Sequence, residues 1–134
     1  LICLAGFMRK LGDKFVERYH NCLINIHPSL LPAFPGLNVH EKVINSGARL
    51  SGCTVHFVRP EIDHGPIIIQ AAIPVNQNDT PKTLADRVLK IEHGAYPQAV
   101  QWFADGRLKI ENEKVVLKES GSHEAVLVNP DPRL

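Results

Sequence analysis

Ile24-Asn25-Ile26-His27-Pro28-Ser29-Leu30-Leu31-Pro32 is the stretch from which the rest of this sequence can be ordered. Its first four residues alternate. Ile24 and Ile26 would bury on one face of a strand, while Asn25 and His27, two apart, project together from the other. Proline then stops the strand, because its ring fixes φ and it has no N–H to give a neighbour. The segment predicts a buried strand over Cys22–Ile26 that delivers a polar pair at its carboxyl end. A rigid, irregular loop should follow, through Pro28, Pro32, Pro35 and Gly36.

Working outward, Leu1 to Phe7 is a short continuous apolar run, the pattern of a strand covered on both faces. Phe15, Val16 and Tyr19 give helical spacing within Gly12–Tyr19. Downstream, Val39 to Ser46 reads as a helix stopped by Gly47. Ser51 to Val58 reads as a strand with Cys53, Val55 and Phe57 on one side and Thr54, His56 and Val58 on the other. Arg59–Pro66 is a turn-rich connection, and Ile67–Val75 is another strand. Thr80 and Pro81 are suited to the N-cap and first position of a helix whose buried face is Leu84, Val88, Ile91, Ala95 and Ala99. Pro97 inside that pattern predicts a kink or break, and Asp105-Gly106 an end. Leu108–Ile110 and Val115–Leu117 suggest a small hairpin or two edge strands. From Glu119 the sequence turns polar, with Pro130 and Pro132, and 119–134 is expected to be a loosely held tail behind a domain formed by 1–118.

Strands alternating with helices predict an α/β fold, Rossmann-like, with a mostly parallel sheet and flanking helices. Ligands in such sheets sit beyond the carboxyl ends of the strands, where the polar residues of this chain cluster. Its 134 residues suffice for one domain with a core, and 44% hydrophobic and 22% charged residues are ordinary proportions. A net charge of +1 gives no bulk footprint for nucleic acid, although a local patch could hold a small anion. No run is long and apolar enough to span a membrane, and no secretory signal is visible. Cys3, Cys22 and Cys53 are odd in number, form no CxxC pair and sit in apolar runs. They predict buried, reduced thiols in a cytoplasmic protein. The chain starts in mid-strand with no initiator Met, so upstream sequence is expected.

An amide beside an imidazole suits acyl chemistry. Asn25 could hydrogen-bond a developing oxyanion and His27 could move or stabilise a proton. His56 leaves its strand on the polar face, and Asp63 follows seven residues later in Glu61-Ile62-Asp63-His64-Gly65-Pro66. Asp63 reads either as an Asx-type turn residue or as a carboxylate that orients a nearby imidazole. His27, His56, Asp63 and His64 could in principle ligate zinc, but their spacing fits no compact ligand motif, and no metal is expected. No G-x-S-x-G elbow supports a nucleophilic serine, and no Gly-rich nucleotide loop is present.

Taken together, Leu4-Ala5-Gly6-Phe7-Met8-Arg9, the Asn25–Pro32 stretch, Pro35-Gly36, Thr54-Val55-His56-Phe57-Val58, Asp63-His64-Gly65-Pro66, Glu92-His93 and Trp102 to Leu108 resemble, in order and spacing, the glycinamide ribonucleotide formyltransferases. The Asn-x-His-x-Ser-Leu-Leu-Pro core is shared with other folate-dependent formyltransferases and with formyltetrahydrofolate deformylase. Pro28, Phe34-Pro35-Gly36 and Ala5 to Arg9 lean toward the ribonucleotide enzymes.

The resemblance implies 10-formyltetrahydrofolate as formyl donor, the amine of glycinamide ribonucleotide as acceptor, and Asn25, His27 and Asp63 as the catalytic trio. It implies His56 as a further active-site histidine on the folate side. Phe7, Met8 and Arg9 would form the edge of the folate pocket, with Arg9 toward a glutamate-tail carboxylate. Arg59, Ile62 and His64 would wall the pterin ring, and Glu92 and Pro28 would meet the substrate nucleotide. It implies a cis Leu31–Pro32 bond, no metal, no nucleic-acid or membrane partner, and a monomer or homodimer. The family's first strand and its Gly/Ser/Asn-rich phosphate turn have no counterpart here, so an N-terminal half is expected to be missing. The alternatives are a deformylase with water as acceptor, or a folate-binding module without catalysis.

Overall fold

The computed structural model describes residues 1–6, 10–121 and 124–133. Phe7, Met8 and Arg9, expected at the folate pocket, lie outside the described residues. Four strands form the main sheet: β1 (Ile2–Leu4), β2 (Leu23–His27), β3 (Leu50–Phe57) and β4 (Ile67–Pro74), side by side in that order. β1 and β2 run parallel, while β2–β3 and β3–β4 are antiparallel. The sheet in this chain is therefore mixed, with its parallel pairing confined to the start.

Alternation decides what each strand buries. Ile24, Ile26, Cys53, Val55 and Phe57 form one face and are 0–7% exposed. Against it packs α3 (Pro81–Ala104) through Leu84, Val88, Ala95 and Ala99, while α2 (Val39–Ser46) adds Val39 and Val43 to the same core. Thr80 caps α3 by accepting from the Thr83 backbone N–H, and the Thr83 hydroxyl returns a bond to the Thr80 N–H. Gly47 closes α2 at φ 74°, the left-handed turn that glycine adopts most readily.

Two expectations give way. α3 runs unbroken through Pro97. The ring removes one intrahelical bond, and the flanking Ala95 and Ala99 are packed into the core, with the Tyr96 hydroxyl donating to the Leu4 carbonyl of β1. Cys3 and Cys22 are exposed, and only Cys53 is buried. β1 has a neighbour on one side alone among the described residues, so an apolar run there does not mean a covered strand.

A short helix, α1 (Asp13–Arg18), joins β1 to β2, and β5 (Leu108–Glu111) with β6 (Lys114–Leu117) forms a separate antiparallel hairpin. No helix or strand follows Leu117 among the described residues, yet the tail is tied down at one point. The Asn129 amide donates to the carbonyls of Arg49 and Val75, beside β3 and β4. No helix among the described residues is long and apolar enough to cross a membrane.

Candidate active site

A cleft of about 850 Å³ opens past the carboxyl ends of β1 and β2, bordered by Leu4, Gly6, Asn25, His27 and Pro28. The first turn of α2 and one face of α3, including Ala85, Leu89 and Glu92, make another wall. The segment after β3 supplies the last, through Arg59, Pro60, Glu61, Ile62 and Asp63.

Asn25 and His27 share the face of β2 opposite the core. In the antiparallel register Asn25 lies across from His56 and His27 across from Thr54, so all four side chains stand on one side of the sheet. The His27 ring is nearly buried. Its Nε2 donates to the Phe34 carbonyl at 2.8 Å, while Nδ1 stands 3.6 Å from Asp63 Oδ1, both side chains being under a tenth exposed. Because the carbonyl can only accept, Nε2 carries a proton, and Nδ1 is the nitrogen turned to the carboxylate. Asp63 is steadied on its other oxygen, where Oδ2 accepts from the Gly36 N–H at 2.9 Å. Asp63 itself sits at φ 56°, a left-handed conformation that Asp tolerates better than most residues. The turn thus brings the Asp63 carboxylate to within 3.6 Å of the His27 ring.

His56 is 2% exposed. Its Nδ1 donates to the Phe57 carbonyl at 2.9 Å, and its buried Nε2 has no partner among the described residues. Burial lowers its pKa, with a further push from His27, against the opposing pull of the Phe57 carbonyl and Asp63. The ring is therefore held neutral with a bare lone pair on Nε2. Asn25 Oδ1 is likewise buried and unpartnered. Gly65 lets the connection pass close to this site: a Cβ there would fall 1.5 Å from the Phe57 carbonyl oxygen.

The remaining expected residues divide. Pro28, Arg59, Ile62 and Glu92 border the cleft. Burial pushes the Glu92 carboxyl above its usual range, opposed by His93. The Arg59 guanidinium, however, is bound to Glu113 at 2.8 and 3.1 Å and to Asn21 Oδ1 at 2.8 Å. His64 does not border the cleft; it is exposed, with Nδ1 3.0 Å from the Ile62 carbonyl. Among the described residues no group of three His, Cys, Asp or Glu side chains could hold a metal ion.

Sequence reasoning passed over His40, Thr54 and Gln70. His40 borders the cleft from the first turn of α2, and its pKa is lowered by burial and then by His27. Thr54 is 0% exposed and lies under the loop that follows β2. Its hydroxyl donates to the Ser29 carbonyl at 2.7 Å and accepts from the Leu31 N–H at 3.0 Å. The Leu31–Pro32 peptide bond is cis. Strand alternation marked the face of Thr54, but no local signal in the sequence says that a loop will fold back onto it.

With the site drawn, relatives can be set beside it. Residues 1–100 match the formyl transferase family. The chain belongs to that family. It is 48% identical over 110 residues to the phosphoribosylglycinamide formyltransferase of Escherichia coli (strain K12), an alignment covering 82% of this chain and 52% of that protein. It is 52% identical over 110 residues to the trifunctional purine biosynthetic protein adenosine-3 of Gallus gallus, covering 82% of this chain and 11% of that one. The chain thus spans about half the length of the bacterial relative and a small part of the trifunctional one. Among solved structures, the phosphoribosylglycinamide formyltransferase of Anaplasma phagocytophilum superposes with a TM-score of 0.87 at 46% identity, over 91% of this chain and 60% of that chain. A formyltetrahydrofolate deformylase from Pseudomonas syringae is more distant, with a TM-score of 0.79 at 28% identity, over 83% and 37%. The α/β fold is that of the Rossmann-like formyltransferases, of which this chain supplies a part.

Proposed function

We propose that this chain carries the formyl-transfer centre of an enzyme that moves the formyl group of 10-formyltetrahydrofolate to the amine of glycinamide ribonucleotide in purine biosynthesis. The observation that carries the reading is the convergence of Asn25, His27 and Asp63, from two separate segments, on one cleft wide enough for both substrates. Its support beyond geometry is that bacterial relatives 48% and 40% identical to this chain bear the name of that enzyme.

The amine attacks the formyl carbon with its lone pair, and the carbonyl pair moves onto oxygen. The Asn25 amide N–H stabilises that oxyanion, and the His27 ring joins it when Nδ1 takes up the proton that the amine loses, since Nε2 is already given to the Phe34 carbonyl. Asp63 holds the imidazole and assists transfer of the proton that the amine loses. Collapse re-forms the carbonyl and expels the folate nitrogen, which leaves protonated. No covalent enzyme intermediate and no metal enters. On this reading Ile62 and Pro60 lie along the pterin, Arg59 acts from behind that wall, and Glu92 with Pro28 meets the ribonucleotide.

The test follows free folate released from 10-formyltetrahydrofolate by the full-length protein, with and without glycinamide ribonucleotide. Release that requires the ribonucleotide is the expected result. Equal release without it would mean that water is the acceptor, and the deformylase reading would replace this one. Binding of folate with no release in either case would leave a binding module.

A further inference from the structure

We infer that Gln70, which does not border the cleft, is a positioning residue for both His27 and Asp63. The inference rests on the reading of those two groups as the reacting pair. Its starting point is a single rung of the sheet. His27 on β2 lies opposite Thr54 on β3, and Thr54 lies opposite Gln70 on β4. Residues directly opposite in neighbouring antiparallel strands project to the same face, so the three side chains form a row leading from an edge strand to the site.

The loop that leaves β2 is fastened to this row. Gln70 Nε2 donates to the Leu31 carbonyl at 2.9 Å and to Thr54 Oγ1 at 3.0 Å. Thr54 Oγ1 also donates to the Ser29 carbonyl and accepts from the Leu31 N–H. A hydroxyl has one proton and two lone pairs, so Thr54 is saturated, and its three bonds admit only one arrangement of the loop. From this knot the order passes outward. The Ser29 hydroxyl donates to the Ala33 carbonyl at 2.6 Å, the next carbonyl, Phe34, receives His27 Nε2, and the Gly36 N–H holds Asp63 Oδ2. One short loop therefore carries the acceptor that sets the His27 ring and the donor that sets the Asp63 carboxylate. A shift of the loop moves both at once. Gln70 is exposed on an edge strand, so replacing it opens no core.

The experiment compares Gln70→Leu and Gln70→Glu with the unaltered full-length protein. It reads kcat, the KM of both substrates, Tm, and the imidazole N–H resonance of His27. Gln70→Leu should lower kcat by about tenfold with both KM values within about twofold, because misplacement acts on the reacting geometry and not on substrate contacts. Tm should move by only a few degrees, and the His27 Nε2–H resonance should shift. In Gln70→Glu an ionised carboxylate faces the Leu31 carbonyl with no proton to give. Its kcat relative to the unaltered protein should recover as pH falls from about 6 toward about 4, where the carboxyl regains a donor. A drop in Tm with kcat unchanged would reduce Gln70 to a structural residue, and a rise in KM alone would make it a substrate contact; either overturns the proposal. An unchanged His27 resonance in Gln70→Leu overturns it even if the unaltered protein proves not to transfer formyl groups.

Discussion

Residues 28–36 and residues 59–66 both close on the cleft, the first leaving β2 and the second leaving β3, yet they are held by opposite means. In the first, Ser29 is 0% exposed and Leu31 5%, and the bonds that tie them to Thr54, itself 0% exposed on β3, are buried. In the second, Glu61, Ile62 and His64 are exposed, and the fixed points are few. They are the Asp63 carboxylate on the Gly36 N–H, the Arg59 guanidinium on Glu113 and Asn21, and the close pass of Gly65 under Phe57. A buried hydrogen bond left unmade costs the full desolvation of its partner, whereas one at the surface is replaced by water. The first segment therefore has one geometry available to it. The second is held at fewer buried points, so its backbone would have more freedom to adjust.

The largest effects should come from the polar trio, with Asn25 and His27 on β2 just ahead of the first segment and Asp63 within the second. Asn25→Ala removes the amide proposed as the oxyanion donor, a contact worth about 3–4 kcal/mol in comparable sites, so on that proposal turnover should fall at least about a hundredfold with Tm nearly unchanged. Asp63→Asn keeps the shape and removes the charge, and should lose a comparable factor. Near-normal turnover in steady-state assays of either variant would remove that residue from the mechanism. Gly65→Ala tests one of the second segment's fixed points. The added Cβ meets the Phe57 carbonyl oxygen, so the backbone must shift, and denaturant unfolding should show a loss of at least about 2 kcal/mol. A variant as stable as the parent would show that the whole of 59–66 is pliant.

His56 gives a pH test. Its folded pKa lies below the ordinary histidine value, so its neutral form contributes stability above about pH 6.5 that is lost as pH falls through the folded value. Tm of the full-length protein should fall between about pH 7.5 and about pH 5.5, and that of His56→Asn should fall less. His40 shifts in the same direction, so the difference between the two proteins, not the slope of either, is the quantity to read. Parallel curves would mean that His56 takes up its proton in the folded state at no cost.

The same contrast explains what could be read from the sequence. β2, α2, β3 and α3 were legible because alternation and helical spacing report on local burial, and the rigid segment starts from such a strand. Asn25 and His27 were legible for the same reason. The fastening of the loop was not: Thr54, Gln70 and Ser29 meet across gaps of 16 and 25 residues, and such pairings carry no period. Arg59 adds a pairing of the same kind: it borders the cleft as expected, and Glu113, 54 residues on, takes its guanidinium. Cys3 is exposed among the described residues, where β1 has a neighbour on one side only.

Arg59 and Glu113 also supply the smallest expected effect, and the one that best probes how pliant the second segment is. Glu113 stands in the turn of the β5–β6 hairpin and is largely exposed, while the Arg59 side chain is 9% exposed and also reaches Asn21. The guanidinium beside it holds the Glu113 carboxyl below the usual range, although burial works slightly the other way. Exposed ion pairs are worth about 0–1 kcal/mol, so Glu113→Ala should cost no more than that in stability. Asn21 and the Val58 carbonyl still engage Arg59 after the change, and the start of the loop stays put. What is lost is the strut between hairpin and loop. The KM for the folate donor should therefore rise by about twofold to threefold with kcat unchanged, and the difference should shrink as salt is raised from about 0.05 to about 0.5 M, since salt already screens the pair in the parent. A tenfold fall in kcat would instead mean that the hairpin positions Asp63, and that residues 59–66 are as rigid in function as residues 28–36.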